Sequence, residues 1–381
     1  MSGLHVGVNL LWLVPGGVGG SEEYVCRLLE GFDDTAQREI ELTLFVNRRF
    51  WGAHPALANA HRLEVAAISG RSRSARVIAE STWLHTRTNT LGVDLVHHPG
   101  GTVPVRTRTP ILLSLHDLQY LEHPEFFSSV KRSYLRTAMP RSTAQAAYIT
   151  APTEFVRGTV VDHLGVEPER VLVVPHGIPA SEPAWGTPAD VVRARYDLSG
   201  PFLLYPAVTW PHKNHITAVR ALAELRATHP DLVLVLTGAA GPAEEAVAHE
   251  ITRLGLTDVV RRTGRIPAVD INGLYDEAAM TVIPSRYEGF GIPALEAMRR
   301  GCPVVAARAT ALPEVIGDGG ELVDPDDVDG WIAAIDLILA DPQRRETLVT
   351  AGRSRAAHFS AERAALALIA AYRLSAEVSH R

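Results

Sequence analysis

Between an apolar run ending at Ile283 and a helical pattern opening at Ile292 the chain reads Pro284-Ser285-Arg286-Tyr287-Glu288-Gly289-Phe290-Gly291-Ile292-Pro293-Ala294-Leu295-Glu296-Ala297-Met298. These are the residue types of an anion site. Gly289 and Gly291 let the backbone come close to a ligand, and Pro293 suits a first helical turn because its missing N–H costs little there. A helix starting here offers free N–H groups and the positive end of its dipole to a diphosphate. Glu288 falls in the loop and Glu296 about one turn into the helix. The two carboxylates can therefore reach opposite ends of one bound molecule, an arrangement that suits a sugar at one end and a ribose at the other.

Further stretches carry reactive residues at strand ends. Tyr205-Pro206-Ala207-Val208-Thr209-Trp210-Pro211-His212-Lys213-Asn214-His215 holds a Lys whose ammonium can neutralise charge developing on a leaving group. Gly16-Gly17-Val18-Gly19-Gly20-Ser21-Glu22 is a glycine-rich turn ahead of a helical pattern, and alone it could equally hold a dinucleotide. Its spacing is not G-x-G-x-x-G, however, and the second strand, Leu42 to Asn47, ends without an acidic residue for an adenosine ribose. Leu115-His116-Asp117-Leu118-Gln119 puts a His and an Asp at another strand end, with His97, His98, Gly100 and Gly101 closing the run before it. Asp324-Pro325-Asp326-Asp327 has the D-x-D form of some cation sites, but its place ahead of an apolar helical pattern reads as capping, so no metal site is expected.

The elements that must position these residues alternate along the whole chain, short apolar runs with longer helical patterns, which is the signature of parallel sheets covered on both faces. Strands are predicted at Val6 to Leu13, Leu42 to Val46, Leu63 to Ile68, Leu95 to His97, Ile111 to Leu115, Ala147 to Ala151 and Val171 to Val174. After a linker rich in Pro, Ala and Ser, Gly177 to Pro188, the alternation restarts with Phe202 to Val208, Leu232 to Thr237, Val259 to Arg262, Met280 to Ile283 and Val304 to Ala306. Predicted helices include Ser21 to Gly31, Arg73 to Thr88, Ile292 to Arg300 and Val328 to Ala340. A last one, capped by Ser360, would place Leu366, Ile369 and Tyr372 on one face. The expected architecture is two Rossmann-like doubly wound domains facing a central cleft: residues 1–180, with the helix 360–381 packing back on them, and residues 188–359.

Composition narrows the class. A chain of 381 residues exceeds the size at which one core usually keeps growing. Its formal charge of -6 disfavours generic binding to nucleic acid. Cys26 and Cys302 are too few for a disulfide framework and read as small buried hydrophobes. The apolar opening lacks a basic leader and a cleavage site, and no run is long enough to span a bilayer, so a cytoplasmic protein is expected, with room for peripheral contact at the inner face of a membrane.

The Glu288 to Glu296 segment resembles the E-x7-E motif of the retaining GT-B glycosyltransferases, specifically family GT4. That resemblance implies that Glu288 contacts the transferred sugar and Glu296 the ribose hydroxyls, with Gly289, Phe290, Gly291 and Ile292 around the donor. It pairs Lys213 with the diphosphate, and makes Gly19 and Gly20 part of the glycine loop that faces the donor. The His116-Asp117 pair is similar to one found in mannosyl- and rhamnosyltransferases, where the His sits beside the sugar, and His176-Gly177-Ile178 resembles the family's hinge-proximal signature. His116, Glu288 and Lys213 are thus the catalytic candidates, and Gly17, His98, Asp117, His212 and Arg265 join the site as further candidates. Many members carry an Arg shortly before the Lys; here Ala207, Val208 and His212 stand in that stretch, so His212 or Arg265 would replace it. The implied reaction is a metal-independent, retaining transfer from a nucleoside-diphosphate sugar, GDP-mannose as first choice, to a glycan or glycolipid hydroxyl. No cofactor is implied, since the nucleotide sugar is a substrate. Two other readings share the architecture. One is a nucleotide-sugar epimerase, against which the E-x7-E pattern argues; the other is a silent donor-binding subunit, against which Glu288, Glu296, Lys213 and His116 together argue.

Overall fold

The protein is described as a computed structural model covering residues 3–16, 20–36, 40–104, 107–178 and 185–378. The chain forms two compact units, Met1–Ala180 with Phe359–Arg381, and Ser181–His358.

The first unit is built on parallel strands β1 (Leu4–Leu10), β2 (Ile40–Asn47), β3 (Arg62–Ala66), β4 (Leu95–His98), β5 (Ile111–Ser114), β6 (Tyr148–Ala151) and β7 (Val171–Val173), in the order β3-β2-β1-β4-β5-β6-β7. Runs such as Ile111–Ser114, buried at every position, form strands because both faces of the sheet are covered. The order reverses between β1 and β4, and open parallel sheets bind ligands at the carboxyl ends of strands beside such a reversal.

The C-terminal helix, Ala361–Glu377, lies along the helix Gly20–Ala36 in this unit. Their approach is so close at Gly31 that a Cβ there would come within 2.7 Å of the Ala361 carbonyl oxygen. Leu28, Leu29 and Phe32 share a core with Leu368, Ile369 and Tyr372. The predicted face needs one correction, because Leu366 is 52% exposed. Residues six apart in a helix of 3.6 residues per turn sit about 120° apart, so Leu366 turns to solvent when Ile369 and Tyr372 face the core. The predicted helix Arg73 to Thr88 is also broken, into Arg73–Ala79, a π-helical turn Glu80–Leu84 and His85–Leu91. Around the break Thr82 and Thr86 donate to the carbonyls of Ile78 and Thr82, at 2.7 and 3.0 Å, side-chain bonds that compete with the helical ladder. Cys26 is only partly buried, unlike Cys302.

The second unit holds β8 (Phe202–Pro206), β9 (Val233–Thr237), β10 (Val260–Gly264), β11 (Met280–Ile283), β12 (Val304–Ala307) and β13 (Glu321–Val323), all parallel, in the order β10-β9-β8-β11-β12-β13. Its reversal falls between β8 and β11. The sequence reading has no β13, since three half-buried residues at a sheet edge make too short an apolar run. It also lacks the helix Pro342–Ala356, capped by Asp341, which accepts from the backbone of Gln343 and Arg344. The helices Ile292–Arg300 and Val328–Ala340 begin and end where the sequence pattern puts them.

Candidate functional site

In the second unit the loops after β8 and β11 meet at the reversal. Lys213 closes a short 3-10 turn, Pro211–Lys213, and Asn214 follows at a positive φ of 54°, a conformation Asn tolerates, before the helix His215–Leu225 begins. Lys213 Nζ donates to Glu288 Oε1 at 2.6 Å, and the two side chains are 20% and 12% exposed. Tyr205, buried on β8, donates its hydroxyl to the Lys213 carbonyl at 2.5 Å and meets Ser285 Oγ at 3.0 Å, so it ties the two loops together. Burial first, and then the nearby Glu288 charge, push the Tyr205 hydroxyl well above its ordinary pKa, so it remains a donor.

Gly291 caps the helix Ile292–Arg300 at φ 95°, and a Cβ there would lie 2.6 Å from Leu312 Cδ2, so both backbone and space call for glycine. Glu288 N donates to Thr310 Oγ1 at 2.9 Å. Thr310 itself sits at φ 50°, a strained conformation for a β-branched residue that persists in the loop holding Glu288. Within the helix, Glu296 accepts from the Tyr275 hydroxyl at 3.1 Å. Phe290 is buried, while Gly289 and Ile292 are half-buried. An ammonium, a glycine turn and a helix N-terminus here can hold an anion, and two flanking carboxylates can accept from hydroxyls.

The remaining candidates of this unit lie around that centre. His212 is buried, and its carbonyl accepts from Arg286 N at 2.7 Å, another tie between the two loops. Arg265 is exposed just beyond β10, a strand separated from β8 by β9. The D-x-D carboxylates have local partners. Asp326 pairs with Arg286 at 2.5 Å, Asp327 accepts from Gly330 N at 3.0 Å as the cap of Val328–Ala340, and Asp324 accepts from Asp326 N at 2.9 Å.

In the first unit, Gly17 and Gly19 lie outside the described residues, and Gly20 opens the helix Gly20–Ala36. His116 follows β5 half-buried, and its Nε2 donates to the Pro99 carbonyl at 3.0 Å. Tyr24 packs against it edge-on, 4.5 Å between centroids, and His176 lies 5.6 Å away. Burial lowers the His116 pKa, so the ring is neutral near pH 7. Asp117 is exposed and accepts from Gln119 N at 3.1 Å. His97 and His98 point to opposite sides, as adjacent strand residues must. His97 is held by Tyr372 and Ser114, at 2.9 and 2.8 Å, and serves the interior of the unit. His98 turns to the reversal, where Asn9 Nδ2 meets its Nδ1 at 3.1 Å and Glu80 Oε1 at 3.2 Å.

The sequence reading gives no role to Tyr205, which it includes only as part of a longer stretch, nor to Tyr275, Thr310, Asn9 and Glu80. Asn9 and Tyr205 carry a signal, a polar group inside an apolar strand. Tyr275 and Thr310 reach Glu296 and Glu288 in the second unit, and Glu80 reaches Asn9 in the first, from distant segments, and nothing in their local sequence marks them.

The family model described as Glycosyltransferase Family 4 matches residues 18–182, and that described as Glycosyl transferases group 1 matches residues 193–355. The chain is 30% identical over 287 residues to the O-antigen chain mannosyltransferase B of Escherichia coli, covering 74% of each. It is 34% identical over 221 residues to the MMP alpha-(1->4)-mannosyltransferase of Mycolicibacterium hassiacum, a match covering 56% of this chain and half of that one. The crystal structure of Anabaena HepE in complex with UDP and glucose aligns with a TM-score of 0.76 at 21% identity, over 97% of this chain and 99% of that chain.

Proposed function

Since the chain belongs to the GT4 glycosyltransferases and has their GT-B fold, we propose that it moves mannose from GDP-mannose to a hydroxyl of a glycolipid or polysaccharide, with retention and without a metal ion. The Lys213–Glu288 contact across the β8/β11 reversal carries this reading, because it sets a cation for the diphosphate directly beside a carboxylate for the sugar. The mannosyltransferases among its relatives support the sugar, and the UDP bound by the Anabaena protein supports a nucleoside-diphosphate donor.

In the proposed reaction the bond from the anomeric carbon to the leaving phosphate breaks, and the acceptor oxygen bonds to the same face of that carbon. The acceptor's proton passes to the departing diphosphate. Lys213, released from Glu288, and the amides of Ile292–Arg300 stabilise charge on the leaving group. Glu288 lies beside the developing positive charge, Glu296 takes the ribose hydroxyls, and His116 stands beside the sugar. Asp324, Asp326 and Asp327 are engaged within the protein, which supports a reaction without a cation.

Work at the inner, cytoplasmic face of a membrane belongs to the same proposal. Trp51, Ile78 and Val130 are exposed on the first unit, and Lys131 and Arg132 follow Val130. No helix among the described residues is long and apolar enough to cross a membrane.

The test is a matrix of GDP-mannose, UDP-glucose, UDP-galactose and ADP-glucose against octyl glycosides, read by mass spectrometry, with the product's anomeric configuration read by NMR. GDP-mannose should give the fastest transfer and an α-linked product. Faster transfer from another donor would overturn the sugar, a β-linked mannoside would overturn retention, and isomerised donor without transfer would establish the epimerase reading.

A further inference from the structure

Asn9 lies near the carboxyl end of β1 and His98 is the last residue of β4, so their contact spans the chain reversal of the first unit. Asn9 Oδ1 accepts from the Leu11 backbone N–H at 3.2 Å. A backbone N–H can only donate, and this bond therefore fixes which end of the amide is oxygen. The Nδ2 group is left facing Glu80 Oε1 and His98 Nδ1, and it has one hydrogen for each. Glu80 is brought there by the π-helical turn and is buried, as are Asn9 and His98. Such turns are frequent at functional sites.

His98 Nδ1 must accept, which puts the ring's proton on Nε2. Burial keeps the ring neutral, its pKa pushed down to about 3. No described residue hydrogen-bonds Nε2, although His98 is only 2% exposed. His116 is set the other way round: its Nε2 donates to the Pro99 carbonyl, and its Nδ1 holds the lone pair. One imidazole with a fixed donor and one with a fixed acceptor suit a ligand rich in hydroxyls, which both accept and donate. A neutral N–H suits a hydroxyl oxygen better than a phosphate, for which the second unit has Lys213 and a helix N-terminus.

We infer that His98, locked by Asn9 in its Nε2–H form, donates a hydrogen bond to a hydroxyl oxygen of the acceptor sugar, with Asn9 as the positioning residue and Glu80 as its anchor. The inference rests on the transfer reading above, and its test separates the two.

The experiment combines imidazole 15N NMR of the full chain with kinetics on the donor and octyl glycoside of highest turnover in the matrix above. His98 should be Nε2–H in the wild type and Nδ1–H in Asn9→Asp, whose carboxylate accepts where the amide donates. His98→Ala and Asn9→Asp should each raise KM for the glycoside about tenfold, the cost of one hydrogen bond, while KM for the donor and its hydrolysis by water stay within about twofold. His98→Gln returns an N–H donor and should recover part of the loss. Asn9→Asp keeps His98 and nearly the same side-chain volume, so the test stands if His98→Ala does not fold. An Nδ1–H ring in the wild type overturns the inference, as does a rise in donor KM in place of glycoside KM. Donor hydrolysis with no glycoside used removes the sugar acceptor and overturns it too, leaving the donor site standing. A wild type that splits no donor sinks the transfer reading itself.

Discussion

Glu288→Gln should make the protein bind free GDP more tightly while transferring sugar more slowly. The Lys213 ammonium is held by the Glu288 carboxylate at 2.6 Å, so an incoming diphosphate must take the ammonium from it. A charge-assisted hydrogen bond contributes about 1.5 to 3 kcal/mol and a neutral one about 0.5 to 1.5, so losing the charge lowers the cost of release by about 1 kcal/mol. The pair is partly solvated, which favours the lower end of that range. About 1 kcal/mol is about fivefold in affinity, and repulsion between Glu288 and the diphosphate acts in the same direction. The assay is calorimetry with GDP on the wild type, Glu288→Gln, Lys213→Ala and the double variant at physiological salt. Lys213→Ala should weaken GDP about ten- to a hundredfold, and in that background Glu288→Gln should gain less than it does in the wild type, because no ammonium remains to be competed for and only the repulsion is relieved. In turnover, Glu288→Gln should cost roughly a hundredfold in kcat through lost charge stabilisation. Weaker GDP binding by Glu288→Gln, or strictly additive effects in the cycle, would refute the reasoning.

Glu296→Gln should raise the donor Kd about tenfold and leave kcat at saturating donor within about threefold, since a ribose contact exists before and during reaction; a fall in kcat at unchanged Kd would remove Glu296 from the ribose. Tyr275→Phe, which strips Glu296 of its hydroxyl partner, should move the donor Kd the same way by a smaller factor. Turnover should survive exhaustive chelation, and Asp326→Asn should be nearly silent; loss with EDTA and recovery with magnesium or manganese would return the Asp324 to Asp327 segment to the site. Burial pushes His97 from 6.5 down to about 3, so between those values the unfolded chain binds a proton that the folded chain refuses, and stability falls as pH drops through that window. His97→Gln should flatten the pH dependence of denaturant stability between pH 6.5 and 5 by up to about 1.4 kcal/mol per pH unit, and an unchanged slope would count against a neutral buried His97.

Strand and helix periodicity carries the two-sheet architecture, because each strand buried on both faces must read as a short apolar run and each covering helix as a 3.6-residue stripe. Glu288, Gly291 and Glu296 are legible for the same reason: one strand, one turn and one helix position them, and the backbone alone sets their spacing. Lys213 stands out as a lone cation at a strand end. The weak elements leave no mark in the sequence, β13 because three residues at an edge bury too little to show a pattern, and the break at Glu80 because threonine bonds back to the ladder leave the apolar period intact. Periodicity misplaces Leu366, because only packing against Gly20–Ala36 selects which stripe of the last helix is buried. What the tertiary structure alone decided is which groups touch and in which state. Lys213 meets Glu288 and Glu296 meets Tyr275 because parallel strand order brings distant loops to one edge. The proton on His98 is placed by an amide whose orientation depends on Leu11, and by a ring that burial keeps neutral. Hydrogen-bond direction and burial are properties of neighbours in space, and one chain position does not encode them.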